Sequence, residues 1–258
     1  MTFEFDGEKY KKSSTHQKEW GNKIIAEFKL KGSESILDLG SGDGTLTCQL
    51  AELVPRGYVL GIDASQGMID TAKKLERQNL KFQKMDINRI QFQEEFDLVF
   101  SNATLHWIKD HEVLLAKVFD SLKQNGIVRF NFAADGNCAA FFKVVREVMR
   151  LEEYRNCFLN FEWPWYMPAI GEYQELINQL PFKEARVWGE NADRYFPDRD
   201  TMAAWIDQPS LVPFLKYIDE EKKKLFRDAV VDRMVKATLQ KDGSCFETFR
   251  RVNLFARK

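Results

Sequence analysis

Apolar and polar positions follow two rhythms along the first half of the chain. Short apolar runs of strand length stand at Ile36-Leu-Asp-Leu39, Tyr58-Val-Leu-Gly-Ile62, Phe96-Asp-Leu-Val-Phe100 and Gly126-Ile-Val-Arg-Phe-Asn-Phe132. Leu80-Lys-Phe-Gln-Lys84 alternates with the period of two of a half-buried strand. Between these runs, Leu46–Leu53, Gly67–Leu75 and Val113–Leu122 carry helical spacing. Strands alternating with helices predict βαβ units, a parallel sheet and an α/β fold class. Crossovers in such a sheet are right-handed, so its ligand crevice lies at the carboxyl ends of the strands.

Past residue 133 the rhythm changes. Phe141–Leu151, Gly171–Leu180, Asp200–Ile206 and Asp219–Leu239 read as helices, Lys183–Trp188 as a sixth strand and Cys245–Ala256 as a closing strand. An aromatic segment, Phe161-Glu-Trp-Pro-Trp-Tyr166, stands among them. There is no repeat and no low-complexity linker. The layout predicted is a single domain over 1–258. It has a helical cap at 1–34, a ligand-binding core at 35–132, helical insertions with the sixth strand at 133–244, and the final strand at 245–258.

Composition narrows the partners. The chain has 38 basic and 39 acidic side chains among 258 residues, a net charge of −1, whereas nucleic-acid binding normally needs a basic excess. No apolar run approaches the roughly 20 residues of a membrane helix, and Met1-Thr-Phe-Glu-Phe-Asp lacks signal-peptide character. Cys48, Cys138, Cys157 and Cys245 stand far apart with no CxxC, so neither a disulfide framework nor a metal site is expected. The expectation is a soluble cytoplasmic protein without nucleic acid, membrane or obligate protein partner.

The chemistry concentrates in Ile36-Leu-Asp-Leu-Gly-Ser-Gly-Asp-Gly-Thr45. Glycines at 40, 42 and 44 follow a strand and open a helix, which suits close backbone approach to a ligand and positive φ. A dinucleotide fingerprint, GxGxxG, would need its third glycine at Thr45. Asp38 ahead of the glycines suits a cationic amine better than a pyrophosphate. Asp63 ends the second strand, 19 residues beyond Gly44, where a carboxylate can accept both hydroxyls of a ribose. Asp86 ends the third strand in the same way and suits an adenine amino group.

These residues resemble the class I S-adenosylmethionine-dependent methyltransferases, in whose order and spacing Asp38-x-Gly-x-Gly-x-Gly44, Asp63, Asp86 and Phe96-Asp-Leu-Val-Phe-Ser-Asn102 fall. The resemblance implies a Rossmann-like fold: a seven-stranded, mostly parallel sheet, its last strand antiparallel, with helices on both faces and helical lid insertions. It implies S-adenosylmethionine as cofactor, with S-adenosylhomocysteine as product. The loop with Gly40, Ser41, Gly42 and Gly44 would hold the methionine moiety, Asp63 would bind the ribose, Met68 would lie near the adenine, and Asp86 with Ile87 would meet its edge. Asp38, Ala64 and Asn102 would also bind the cofactor.

Ser101-Asn-Ala-Thr-Leu-His-Trp-Ile108-Lys-Asp-His111 is similar to the corresponding segment of trans-aconitate and juvenile hormone acid methyltransferases, and Tyr10-Lys-Lys-Ser-Ser-Thr-His-Gln17-Lys resembles the start of the latter. Both are carboxyl O-methyltransferases. The resemblance puts Gln17 and Trp107 in the role of anchoring the substrate carboxylate. Gln17 stands where the trans-aconitate enzymes tend to carry arginine.

The chemistry agrees. A carboxylate, with a pKa near ~4, is ionised at neutral pH and needs no general base. Neutral donors, the Gln17 amide and the Trp107 indole N–H, would hold it. A phenol or amine would want a base, and the chain has only His16, His106 and His111 to offer. Core packing also fits Trp107, a solvated helix face fits Gln17, and His106 reads as structural. Trp163, Trp165 and Tyr166 are candidates to wall an apolar acceptor pocket. The expected function is therefore methyl-ester formation on a small-molecule carboxylic acid. The alternatives are an N-, C- or phenolic O-methyltransferase acting on a small molecule, and a protein that binds the donor without turnover.

Overall fold

The computed structural model describes residues 15–258, except the side chains of residues 15, 16, 208 and 209. The first 14 residues of the expected cap lie outside the described residues, as does the side chain of His16. The chain forms two compact units. The first joins the described part of Met1–Asp135 to Trp165–Glu190 and Arg251–Lys258; the second joins Gly136–Pro164 to Asn191–Arg250.

In the first unit, β1 (Ser35–Leu39), β2 (Tyr58–Asp63), β3 (Leu80–Lys84), β4 (Phe96–Asn102), β5 (Leu122–Ala133), β6 (Glu184–Asn191) and β9 (Arg250–Arg257) form one seven-stranded sheet. Its order is β3-β2-β1-β4-β5-β9-β6; β1 to β5 are mutually parallel and β9 is antiparallel to β5. This is the α/β Rossmann-like arrangement expected, with β9 as the antiparallel strand.

The central strands are mostly apolar because both faces are covered. Successive side chains point to opposite faces. Ile36, Val59, Leu98 and Phe100 pack with Ile24 and Ile25 of α1 (Thr15–Ala26) and with Leu50 of α2 (Thr45–Leu53). Leu37, Leu39, Val99 and Phe130 pack on the other face with Leu114, Leu115 and Val118 of α4 (His111–Ser121) and Tyr173 of α6 (Ile170–Ile177).

The strand order reverses between β1 and β4. Their last paired residues are Asp38 and Phe100, beyond which the Ser101 hydroxyl donates to the Leu39 carbonyl at 2.7 Å. In open α/β sheets, ligands bind in the crevice at such a switch point.

The second unit contains α5 (Ala139–Met149), β7 (Arg194–Phe196), α7 (Arg199–Trp205), α8 (Val212–Leu215), α9 (Glu220–Thr238) and β8 (Cys245–Glu247), with β7 and β8 paired antiparallel. Phe141 of α5 packs edge-on to Trp205 and Phe214, and Phe226 of α9 to Tyr154. After α7 the chain widens into a π turn over Ile206–Ser210. Pro209 lies within that turn and has no N–H for a helical bond.

Two sequence expectations change. The closing strand Cys245–Ala256 is two strands, β8 and β9. Glu247, fully buried, turns its carboxylate to the amino end of α5 and accepts the N–H groups of Ala140 (3.2 Å), Phe141 (2.8 Å) and Thr248 (2.7 Å). That commitment interrupts the ladder. The helix read over Gly67–Leu75 is α3 (Gln66–Ala72) followed by a tighter 3₁₀ turn, Lys73–Leu75, a common way for a helix to end. Trp163 belongs to the second unit, packed on Phe142 and under Arg146, whereas Trp165 and Tyr166 belong to the first. No described helix is long and apolar enough to cross a membrane.

Candidate active site

The glycine loop is built on β1 and β2. The N–H groups of Gly40 and Ser41 both donate to the Ile62 carbonyl at 2.9 Å, and the Gly42 N–H donates to Asp63 Oδ2 at 3.0 Å. Gly40 has φ 78°, and a Cβ there would fall 2.2 Å from Thr104 Cγ2, so the position excludes every side chain. Gly42 has φ 54°, and a Cβ there would meet nothing within 4 Å. The main chain at Gly42 therefore borders open space, the cradle a ligand needs.

The acids at the strand ends differ in character. Asp63 is half-buried, and its Oδ1 also accepts the Ser65 N–H at 2.9 Å, so the loop and the following turn share one carboxylate. Ala64 beside it is half-buried, and Met68 and Ile87 are buried. Asp86, half-buried, caps a short turn by accepting the Asn88 N–H and side-chain amide at 2.9 and 2.8 Å. Asp38 lies beneath the loop, 2% exposed, and accepts the Thr47 hydroxyl at 2.7 Å. Burial pushes its carboxyl up to about 7; the Thr47 bond opposes this and the nearby Asp63 charge adds to it.

The carboxyl end of β4 supplies the second wall. Asn102 donates from Nδ2 to the Gln17 carbonyl at 2.8 Å, joining α1 to the strand end. Gln17 Oε1, Asn102 Oδ1, Ser41 Oγ and His106 Nδ1 are buried and have no hydrogen-bond partner among the described residues. Buried polar atoms are normally partnered. Ser41 follows β1, Asn102 ends β4, His106 follows it, and Gln17 is tied to Asn102, so these atoms stand toward the carboxyl ends of the central strands.

Trp107 closes the short turn Leu105–Trp107, its ring centroid 5.2 Å from Trp165 and 5.6 Å from His106. The Tyr166 N–H donates to the His106 carbonyl at 2.8 Å. His111 is buried, within 2.9 Å of both the Tyr173 hydroxyl (Nδ1) and the Leu105 carbonyl (Nε2). Burial holds His111 down to about 4. Burial, helped by the charges of Arg251 and His111, holds His106 down to about 3. Both imidazoles are neutral at physiological pH.

The residues singled out in the sequence thus fall into two sets: Asp38, Gly40, Ser41, Gly42, Gly44, Asp63, Ala64, Met68, Asp86 and Ile87 along β1 to β3, and Gln17, Asn102 and Trp107 at the end of β4. The chain was then compared with known proteins. Residues 37–130 match the model of a methyltransferase domain. The trans-aconitate 2-methyltransferase of Deinococcus radiodurans is 29% identical over 198 residues, 75% of each chain. That of Shigella dysenteriae is 25% identical over 236 residues, 91% of this chain and 90% of the other. The solved structure of loganic acid methyltransferase with SAH superimposes with a TM-score of 0.75 over 100% of this chain and 98% of that one, at 10% identity.

The chain is a class I S-adenosylmethionine-dependent methyltransferase. S-adenosylmethionine is the cofactor of this methyltransferase.

Several residues around the crevice escaped the sequence reading. Thr104 fills the space beside Gly40 and donates to its carbonyl at 3.2 Å. Lys18 pairs with the buried Asp43 at 2.9 Å, tying α1 to the glycine loop. Lys18 carries no sequence signal of this. Thr104 stands two residues after Asn102 and was legible only as part of the segment following β4.

Proposed function

We propose that this methyltransferase moves the methyl group to the carboxylate of a small-molecule acid and forms a methyl ester. The observation that carries the reading is the character of the rim around Gln17 and Trp107. Gln17 and Asn102 leave neutral amide oxygens unpartnered, Trp107 lies against Trp165, and the imidazoles of His106 and His111 are held uncharged. A neutral imidazole held near 3 is a poor proton acceptor. A carboxylate asks for none, because it is already ionised. The names of the trans-aconitate relatives support the same class of acceptor.

When bound, S-adenosylmethionine supplies an electrophilic sulfonium methyl. On this reading the backbone of Gly40, Ser41, Gly42 and Gly44 holds its methionine part, with Asp38 and Asn102 answering its ammonium. Asp63 and Ala64 take the ribose, and Met68, Asp86 and Ile87 take the adenine. The open main chain at Gly42 and the unpartnered Asn102 Oδ1 fit this assignment.

Gln17 can turn its amide to offer Nε2–H, and Trp107 offers its indole N–H, so that both donate to the acceptor carboxylate and aim one oxygen. Rate comes from alignment, where oriented intramolecular reactions gain on the order of 7–11 kcal/mol. The rings of Trp107 and Trp165 exclude water and strengthen the attraction between carboxylate and cation.

Gln17→Ala and Trp107→Phe test the assignment. Each should raise the KM for the acid about tenfold or more and leave the affinity for S-adenosylhomocysteine, measured by calorimetry, within about twofold; the loss of one charge-assisted hydrogen bond sets that scale. Unchanged KM in both variants would refute it.

A further inference from the structure

The sheet holds a row of polar side chains that methyl transfer does not by itself require. On the antiparallel pair β5–β9, Asn131 faces Asn253 and Ala133 faces Arg251. Arg129, Asn131, Arg251 and Asn253 are each under 5% exposed. Arg251 donates from Nε and Nη2 to Asn131 Oδ1 at 2.9 and 2.6 Å. Asn131 Nδ2 and Arg129 Nη1 both donate to Asn253 Oδ1 at 3.0 Å. Burying two guanidinium groups is unfavourable unless they are well partnered, and apolar residues of similar volume would pack the same space without that penalty.

Both ends of the row reach α1 or the residue that follows it. The Arg251 guanidinium lies 4.3 Å over the Trp20 ring. Arg129 grips the Glu27 carboxylate, with Nε and Nη2 each 3.1 Å from Oε2. Trp20 lies within α1 and Glu27 directly follows its last residue. Gln17 precedes Trp20 by three residues, so the two share a helix face.

The apolar contacts of Ile24 and Ile25 hold α1 against the sheet, but apolar packing is not directional. A guanidinium fork and a ring-stacked cation are directional.

We propose that Arg129, Asn253, Asn131 and Arg251 form a clamp that fixes α1 along the sheet and so holds Gln17 at the rim. Arg129 and Arg251 are positioning residues for the acceptor. The proposal rests on the reading of Gln17 as the carboxylate's anchor. It explains why the row is polar: the clamp sets where the helix sits along its axis, and a shift of ~1 Å in an anchoring group can cost about a hundredfold in rate.

Glu27→Gln is the discriminating variant, because Glu27 is 58% exposed and Gln keeps an oxygen to accept from the Arg129 guanidinium while removing the charge. The full chain would be assayed with trans-aconitate and dodecanoate as probe acceptors, alone and in the Gln17→Ala background. Hydrogen exchange of the α1 amides would be followed with S-adenosylhomocysteine bound. Glu27→Gln should raise the acceptor KM three- to tenfold and speed exchange across α1, with the S-adenosylhomocysteine Kd within twofold. In the Gln17→Ala background it should add less than twofold, because the clamp acts through Gln17. Arg129→Lys, which keeps the charge and loses the fork, should reproduce the effect.

Unchanged α1 exchange, or KM effects that multiply in the double variant while Gln17→Ala itself raises KM, would overturn the clamp and leave the Gln17 reading standing. A wild-type KM in Gln17→Ala would overturn that reading and the clamp with it.

Discussion

Thr47 donates its hydroxyl to Asp38 Oδ2 at 2.7 Å from the first turn of the helix that the glycine loop opens. The strand end and the helix start are thereby locked around one buried carboxyl, which burial raises to about 7. The sign follows directly. A carboxyl whose folded pKa lies above its ordinary 3.8 holds its proton more tightly in the folded chain. It favours the free fold at low pH, and that stability is lost as pH rises from about 4 through about 7. A cationic ligand reverses the preference, since it favours the ionised form.

Binding of S-adenosylhomocysteine, which carries an α-ammonium group, should therefore weaken as pH falls below about 7, by up to about tenfold per unit. Asp38→Asn should flatten that dependence and weaken binding at pH 8. Calorimetric titrations between pH 5.5 and 8.5 check both; a slope retained in Asp38→Asn would mean another group titrates.

The two loop glycines should fail differently. Gly40→Ala drives a methyl group into Thr104, and Gly42→Ala puts one into open space on a left-handed backbone that costs about 1 kcal/mol. Gly40→Ala should lower the melting temperature by several degrees, whereas Gly42→Ala should lower it little and weaken donor binding about tenfold. Equal effects of both on melting and on Kd would contradict the reading of Gly42 as a ligand-facing backbone.

The Trp107–Trp165 pair should report on the acceptor. Trp165 is 7% exposed, and its complete removal would cost about 3–5 kcal/mol, enough to confuse binding with folding. Trp165→Phe keeps most of the wall. A few-fold rise in acceptor KM is expected, with kcat and donor affinity nearly unchanged, measured by steady-state kinetics.

The imidazoles should leave no mark on the reaction. With His106 near 3 and His111 near 4, kcat at saturating donor should be flat from about pH 5.5 to 9. A limb with an apparent pKa between 6 and 7 at saturating donor would indicate a titrating base and favour an amine or phenol as acceptor.

Much of this was legible in the chain. β1, β4 and their neighbours are apolar because both faces are covered, and the loop after β1 betrays itself by Asp38, Gly40, Gly42 and Gly44 in fixed register. Long-range polar contacts were not legible. Within the strand Gly126–Phe132, nothing local says where Arg129 and Asn131 go; both are buried, because their partners lie more than 100 residues away on β9. The break between β8 and β9 was hidden for the same reason: the closing strand Cys245–Ala256 gives no local sign that the Glu247 carboxylate caps α5. The partition of Trp163 from Trp165 follows from which unit each side of Pro164 joins, and local pattern does not encode that.

The most direct test of carboxyl methylation uses donor labelled in the methyl group. The enzyme would be incubated with it and a panel of small carboxylic acids, and the products treated with mild base. Release of the label as volatile methanol, dependent on one class of acid and lost in the Gln17→Ala, Trp107→Phe double variant, is the predicted result. Label that withstands base, on nitrogen, carbon or a phenolic oxygen, would contradict it.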